Sequence, residues 1–93
     1  MTTKILIPTP LRAYTDKQAS VLTEGNTVGE ALHHLTTHYD ALRKHLYTDD
    51  GKLRAFVNVY VNDEDIRYLQ KENTVLREHD TVSIIPSIAG GSA

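Results

Sequence analysis

Phe56-Val57-Asn58-Val59-Tyr60-Val61 is the stretch that decides the fold. β-Branched and aromatic residues dominate it, and side chains along a strand point alternately to opposite faces of a sheet. Val57, Val59 and Val61 fall on one face, Phe56, Asn58 and Tyr60 on the other. The all-Val set suits a core. The other set, two aromatics and an amide, suits solvent or a partner. A strand divided in this way belongs to a sheet covered on one side only. Asn62-Asp63-Glu64-Asp65 then turns the chain, and Ile66-Arg67-Tyr68 is predicted as a short return strand.

Working outward, Glu78-His79-Asp80 is a turn and Thr81-Val82-Ser83-Ile84-Ile85 a strand stopped by Pro86. Val82 and Ile84 are expected to point inward and Ile85 outward. Near the start, Lys4-Ile5-Leu6-Ile7 reads as a strand ended by Pro8, with Ile5 and Ile7 inward and Leu6 outward. Gln18-Ala19-Ser20-Val21-Leu22 is a weaker strand, joined to the first as a hairpin through Thr15-Asp16-Lys17.

Between these strands lies one amphipathic helix. Thr27-Val28-Gly29-Glu30 is a capping box, a hydroxyl followed three residues later by Glu. At about 100° per residue, Val28, Ala31, Leu32, Leu35 and Tyr39 form one apolar stripe, which Leu42 extends, while Glu30, His33 and Thr37 lie opposite. Gly29 in the first turn costs helix propensity and points to a close packing contact. Asp49-Asp50-Gly51-Lys52 is a further turn. The expected fold class is α+β, a mixed sheet of four to five strands with one main helix packed on one face.

The chain has 93 residues, so one small domain is expected, with a modest core. Twelve acidic and ten basic residues leave a formal charge of -2, which does not look like a nucleic-acid binder. Absence of Cys excludes a disulfide scaffold, thiolate-ligated metal sites and a Cys nucleophile. No signal-peptide core or membrane-length apolar run is present, so a cytoplasmic location without membrane contact is the expectation.

Few residues point to catalysis within the chain. Gly25 and Gly29 lack the third glycine and the Lys-Ser/Thr pair of a phosphate loop. Asp63, Glu64 and Asp65 read as a solvated turn rather than an acid/base pair. His34 and His38 stand four apart, the spacing at which two imidazoles share a metal on a helix, but they flank the apolar stripe and have no third ligand. They read as a polar flank, and no metal site is expected. The five Tyr residues are expected to be mostly half-buried packing residues.

The C-terminal stretch is unlike the rest. After Pro86 come Ser87-Ile88-Ala89-Gly90-Gly91-Ser92-Ala93. Two consecutive glycines strengthen no strand, but they give the thinnest and most pliable backbone available. Such a tail is either a frayed terminus or a segment shaped to enter a narrow channel in another protein. The expected organisation is therefore a domain over residues 1–88 and a tail over residues 89–93.

Taken together, these pieces resemble the ubiquitin-like β-grasp sulfur carriers of the MoaD/ThiS family, within which the chain looks closest to the cysteine-biosynthesis carriers. The matching pieces are Ile7-Pro8-Thr9 with Leu11-Arg12, Gly25 with Thr27, the run from Phe56 to Arg67, and Val82-Ser83-Ile84-Ile85-Pro86 leading to Ala89-Gly90-Gly91. The resemblance implies a protein that is not an enzyme and carries sulfur on its terminal carboxylate. An E1-like activating enzyme uses ATP to adenylate Gly91, and sulfur then displaces AMP to leave a thiocarboxylate, with Gly90 supplying pliability. In cysteine biosynthesis the thiocarboxylate attacks an aminoacrylate held by a pyridoxal-phosphate-dependent, cysteine synthase-like partner. An S-to-N acyl shift and proteolytic release of cysteine follow. The chain itself is expected to bind no cofactor.

One departure from the family pattern is that Ser92 and Ala93 follow Gly91. Gly91 then has an amide and no carboxylate to activate, so a JAMM-type zinc protease is expected to cleave between Gly91 and Ser92. Rival readings are the small subunit of molybdopterin synthase, a ubiquitin-like modifier joined through Gly91, and a binding module with an inert tail. The outward-facing residues Leu6, Phe56, Tyr60 and Ile85 are the expected partner-binding surface, because an open sheet face with this much apolar area often marks a docking site.

Overall fold

The computed structural model describes residues 2–86. Its sheet has five strands: β1 (Thr2–Leu6), β2 (Ser20–Glu24), β3 (Val57–Val61), β4 (Glu64–Asp65) and β5 (Thr81–Pro86). Their spatial order is β2-β1-β5-β3-β4. The first and last strands run parallel side by side, Ile5 facing Val82 and Leu6 facing Ser83, and the other neighbours are antiparallel. This is the expected mixed sheet, and the expected inward set is buried throughout: Ile5, Ile7, Val57, Val59, Val61, Val82 and Ile84.

Helix α1 (Val28–His38) covers that face with Val28, Ala31, Leu32 and Leu35, all fully buried. Its start follows from the capping box. Thr27 Oγ1 accepts a hydrogen bond from the Glu30 amide at 3.2 Å. The Glu30 carboxylate reaches back to the Asn26 amide at 2.9 Å, one residue before the usual target. Two glycines here are required by close approach. A Cβ on Gly29 would lie 3.1 Å from the Glu72 carbonyl oxygen, the expected packing contact. A Cβ on Gly25 would lie 2.6 Å from the Ala31 nitrogen, where no side chain fits.

Several expectations need correction. The apolar stripe does not run on through Leu42 in one helix. The backbone breaks at Tyr39 (φ -118°, ψ 80°), and Leu42 and Leu46 are buried from a second helix, α2 (Asp40–Leu46). Thr9–Tyr14 forms a 3₁₀ helix behind Pro8, and β2 begins at Ser20 rather than Gln18. The hairpin turn does fall at Asp16 and Lys17, both at positive φ. Ile66-Arg67-Tyr68 is a 3₁₀ turn and not a strand, since the Asp65 carboxylate caps the Arg67 amide at 2.8 Å and only Ile66 is buried. The return strand is the two-residue β4, entered through Asn62 and Asp63 at positive φ, the geometry of a tight hairpin. Of the tyrosines, Tyr14, Tyr39, Tyr47 and Tyr60 are half-buried, but Tyr68 is exposed.

Candidate functional site: the open face and the tail-bearing end of the sheet

Strand alternation leaves the second face of the sheet without a helix. Register places Leu6 beside Ser83 and Ser83 beside Tyr60, a single row across β1, β5 and β3. One row further along, Ile85 faces Asn58. Leu6 is 38 % exposed and Ile85 49 %, and Tyr60 is half-buried. The fourth expected residue, Phe56, is 57 % exposed but lies just before β3, in a turn closed by the Val57 amide on the Arg54 carbonyl at 3.0 Å. Three of the four thus share the open face, while Phe56 stands at its end. Sequence reasoning missed Leu22, which faces Lys4 on the same side and is 68 % exposed. The alternation of β2 would have found it once that strand's register was known.

The end of the face near Phe56 is where β5 finishes. Pro86, the last described residue, pairs with Val57. Gly90, Gly91 and Ser92 lie outside the described residues. What holds this end in shape is an arginine that has no local sequence pattern. Arg67 donates to the Ala55 carbonyl at 3.4 Å, the Val57 carbonyl at 3.5 Å and the Asn58 side-chain oxygen, and its Nε lies 4.0 Å from Asp65. One planar cation therefore gathers the turn before β3 and the strand itself. Arg12 does similar work after β1, its Nε donating to the Ile7 carbonyl at 3.0 Å. The opposite end of the sheet is tied by Asn62, which donates to Asp80 at 2.7 Å and accepts from the Thr81 amide at 2.9 Å.

The His pair has structural partners. His34 Nδ1 accepts the Glu24 amide at 3.3 Å, and His38 packs edge-on against Tyr39 with ring centres 4.7 Å apart. Among the described residues no group of three His, Cys, Asp or Glu side chains is placed to hold a metal ion. No helix among them is long and apolar enough to cross a membrane. The Asp63-Glu64-Asp65 carboxylates stay on the hairpin, with Asp63 and Glu64 exposed and Asp65 spent on its cap.

Comparison with known proteins bears on the same residues. The ThiS family matches residues 5–91, a span that runs from the end of β1 through the whole of β5 to the double glycine. The sulfur carrier protein CysO of Mycobacterium tuberculosis is 40 % identical over 93 residues, covering 98 % of this chain and all of the relative. Small archaeal modifier protein 3 of Haloferax volcanii is 38 % identical over 65 residues, 70 % of each chain. A chain of the Amycolatopsis orientalis BexX/CysO complex superposes with a TM-score of 0.85 at 36 % identity, covering 96 % of this chain and 99 % of that one. With its mixed ubiquitin-like β-grasp sheet, its covering helix and a match that runs through Gly91, the chain belongs to the ThiS family.

Proposed function

We propose that the protein is a sulfur carrier whose cargo is held at Gly91 as a thiocarboxylate. The observation that carries this reading is the family match extending to residue 91, through Gly90-Gly91, on a chain 40 % identical over nearly its full length to a sulfur carrier. The chain acts as carrier and co-substrate, and the catalytic groups belong to its partners. Removal of Ser92 and Ala93, by a zinc protease of the JAMM type, frees the Gly91 carboxylate. That carboxylate attacks the α-phosphorus of ATP on an E1-like enzyme and expels pyrophosphate. Sulfide then adds to the acyl carbon and expels AMP, leaving one sulfur where one oxygen had been. The thiocarboxylate is delivered to a pyridoxal-phosphate-dependent synthase that makes cysteine.

The open face serves docking to the activating enzyme. The solved BexX/CysO complex of Amycolatopsis orientalis is consistent with a carrier of this fold docking on a partner chain. The decisive experiment offers protein ending at Gly91 to the activating enzyme with ATP and sulfide, and measures intact mass. A gain equal to sulfur for oxygen, located in the terminal peptide, is the expected result; an unchanged mass with an enzyme that charges another carrier overturns the reading. Intact mass of the protein from its native cells tests the processing step, with loss of Ser92 and Ala93 expected.

A second reading has its own support. Similarity to a small archaeal modifier protein favours a tag joined through Gly91 to lysines of other proteins. Slower-migrating conjugates that vanish when Gly91 is deleted would identify it.

A further inference from the structure

On the side of β3 away from the open face, a cleft of about 290 Å³ opens beside Val57, the residue that faces Pro86. Its floor is apolar and includes Val59 and Ile66, both buried core residues. Its rim is basic: Arg54, Arg67 and Lys71 line it with one acid, Glu72, and Asp65 behind it neutralises only Arg67. The cleft is thus locally positive in a chain whose net charge is -2. Two of the three cations are held in place. Arg67 is fixed by the carbonyls of the turn, and Arg54 donates its Nε to the Lys44 carbonyl at 2.8 Å. The outer nitrogens of Arg54 have no partner among the described residues. Lys71 sits at φ +54°, a conformation unfavourable for a residue with a side chain, and it too has no ion pair among the described residues.

We propose that this cleft is a socket for an acidic segment of a partner protein, one bulky apolar side chain flanked by Asp or Glu. The apolar side chain fills the space over Val59 and Ile66. Its neighbouring carboxylates meet Lys71 and the preset fork of Arg54, which matches a carboxylate through two parallel N–H bonds. Charge complementarity chooses this occupant over the chain's own last residues. Ser87-Ile88-Ala89-Gly90-Gly91-Ser92-Ala93 contains an apolar residue for the floor but no acidic side chain, and its single terminal carboxylate would serve only one of Arg54 and Lys71. The position of the cleft adds a reason, because any partner that grips the chain beyond Pro86 arrives at this end of the sheet. The inference extends the proposed function by giving the chemistry of a second contact. Its test involves no sulfur, so the two fail separately.

The test is an amide NMR titration of the full chain with acetyl-Asp-Glu-Leu-Glu-Asp-amide. Saturable shifts at Ala55, Val57 and Lys71 are expected at millimolar peptide or below, with no comparable shifts from acetyl-Lys-Lys-Leu-Lys-Lys-amide. Replacing the peptide's Leu by Ser should weaken binding, as should Lys71→Asn, roughly fivefold or more. Asn tolerates positive φ, so that variant keeps the backbone; Arg54→Gln is the second variant. Three results would overturn the proposal: no saturable shift up to about 5 mM peptide, equal response to the basic peptide, or binding that appears only after residues 87–93 are deleted, which would make the tail itself the occupant.

Discussion

The two faces of this sheet are made by alternate residues of the same strands, yet one is buried and the other meets water. On the covered face, Val57, Val59, Val82 and Ile84 belong to one buried cluster with the stripe of α1. On the open face, Leu6, Leu22 and Ile85 are comparably apolar and remain in contact with water. Apolar character alone therefore does not say what a side chain contributes. Burial of a large aliphatic side chain is worth about 1.5–3 kcal/mol to folding, and a half-exposed one has realised only part of that. The remainder stays available to a partner. The covered face carries most of the folding energy, and the open face is the one proposed above for docking to the activating enzyme.

Substitutions on each face should separate these roles. The largest effect is expected from Leu32→Ala, which empties a fully buried site under the sheet and should cost about 2–5 kcal/mol in chemical denaturation. A cost below that of a surface substitution would break the contrast. Next comes Phe56→Ala, which should weaken binding to the activating enzyme by about 2 kcal/mol, with folding stability changed by no more than about 0.5 kcal/mol. Unchanged adenylation efficiency would remove Phe56 from the docking surface; a large loss of stability would move it to the core. Thr27→Ala should cost about 1 kcal/mol through loss of the cap on α1, without affecting partner binding.

The smallest effect concerns alkaline pH. Burial, reinforced by the negative charge of Glu72, pushes the Tyr47 phenol up to about 12. The unfolded chain gives up that proton near pH 10, while the folded chain keeps it. The contribution of Tyr47 to stability is thus whole below pH 10 and is lost as pH rises from there toward 12. Melting curves of Tyr47→Phe should fall less steeply over that interval than those of the parent. Identical slopes would show that the phenol is more solvated than its packing indicates.

Much of the fold was legible because it rests on short-range periodicity. Alternation in the Val57-Val59-Val61 run and the capping pattern at Thr27 gave β3, its inward face and the start of α1. What escaped had other causes. The break at Tyr39 carries no Gly or Pro, and Leu42 continues the stripe, so two helices read as one. Ile66 is buried like a strand residue, but the preceding Asp65 closes a 3₁₀ turn; an Asp before an apolar residue was the signal available. At the candidate site, Leu6 and Ile85 were legible from alternation. Arg67 and Arg54 were not, because they bond to carbonyls ten to twelve residues distant, and no local pattern announces such a clamp.

The strand that leads into the tail, β5, lies in the middle of the sheet, between the first strand and the third. Residues 81–86 must therefore leave the ribosome before the sheet can close, since the parallel pairing of β1 with β5 joins the two extremes of the sequence. A product terminated before residue 81 lacks the keystone of the sheet, and the facing edges of β1 and β3 are left unpaired.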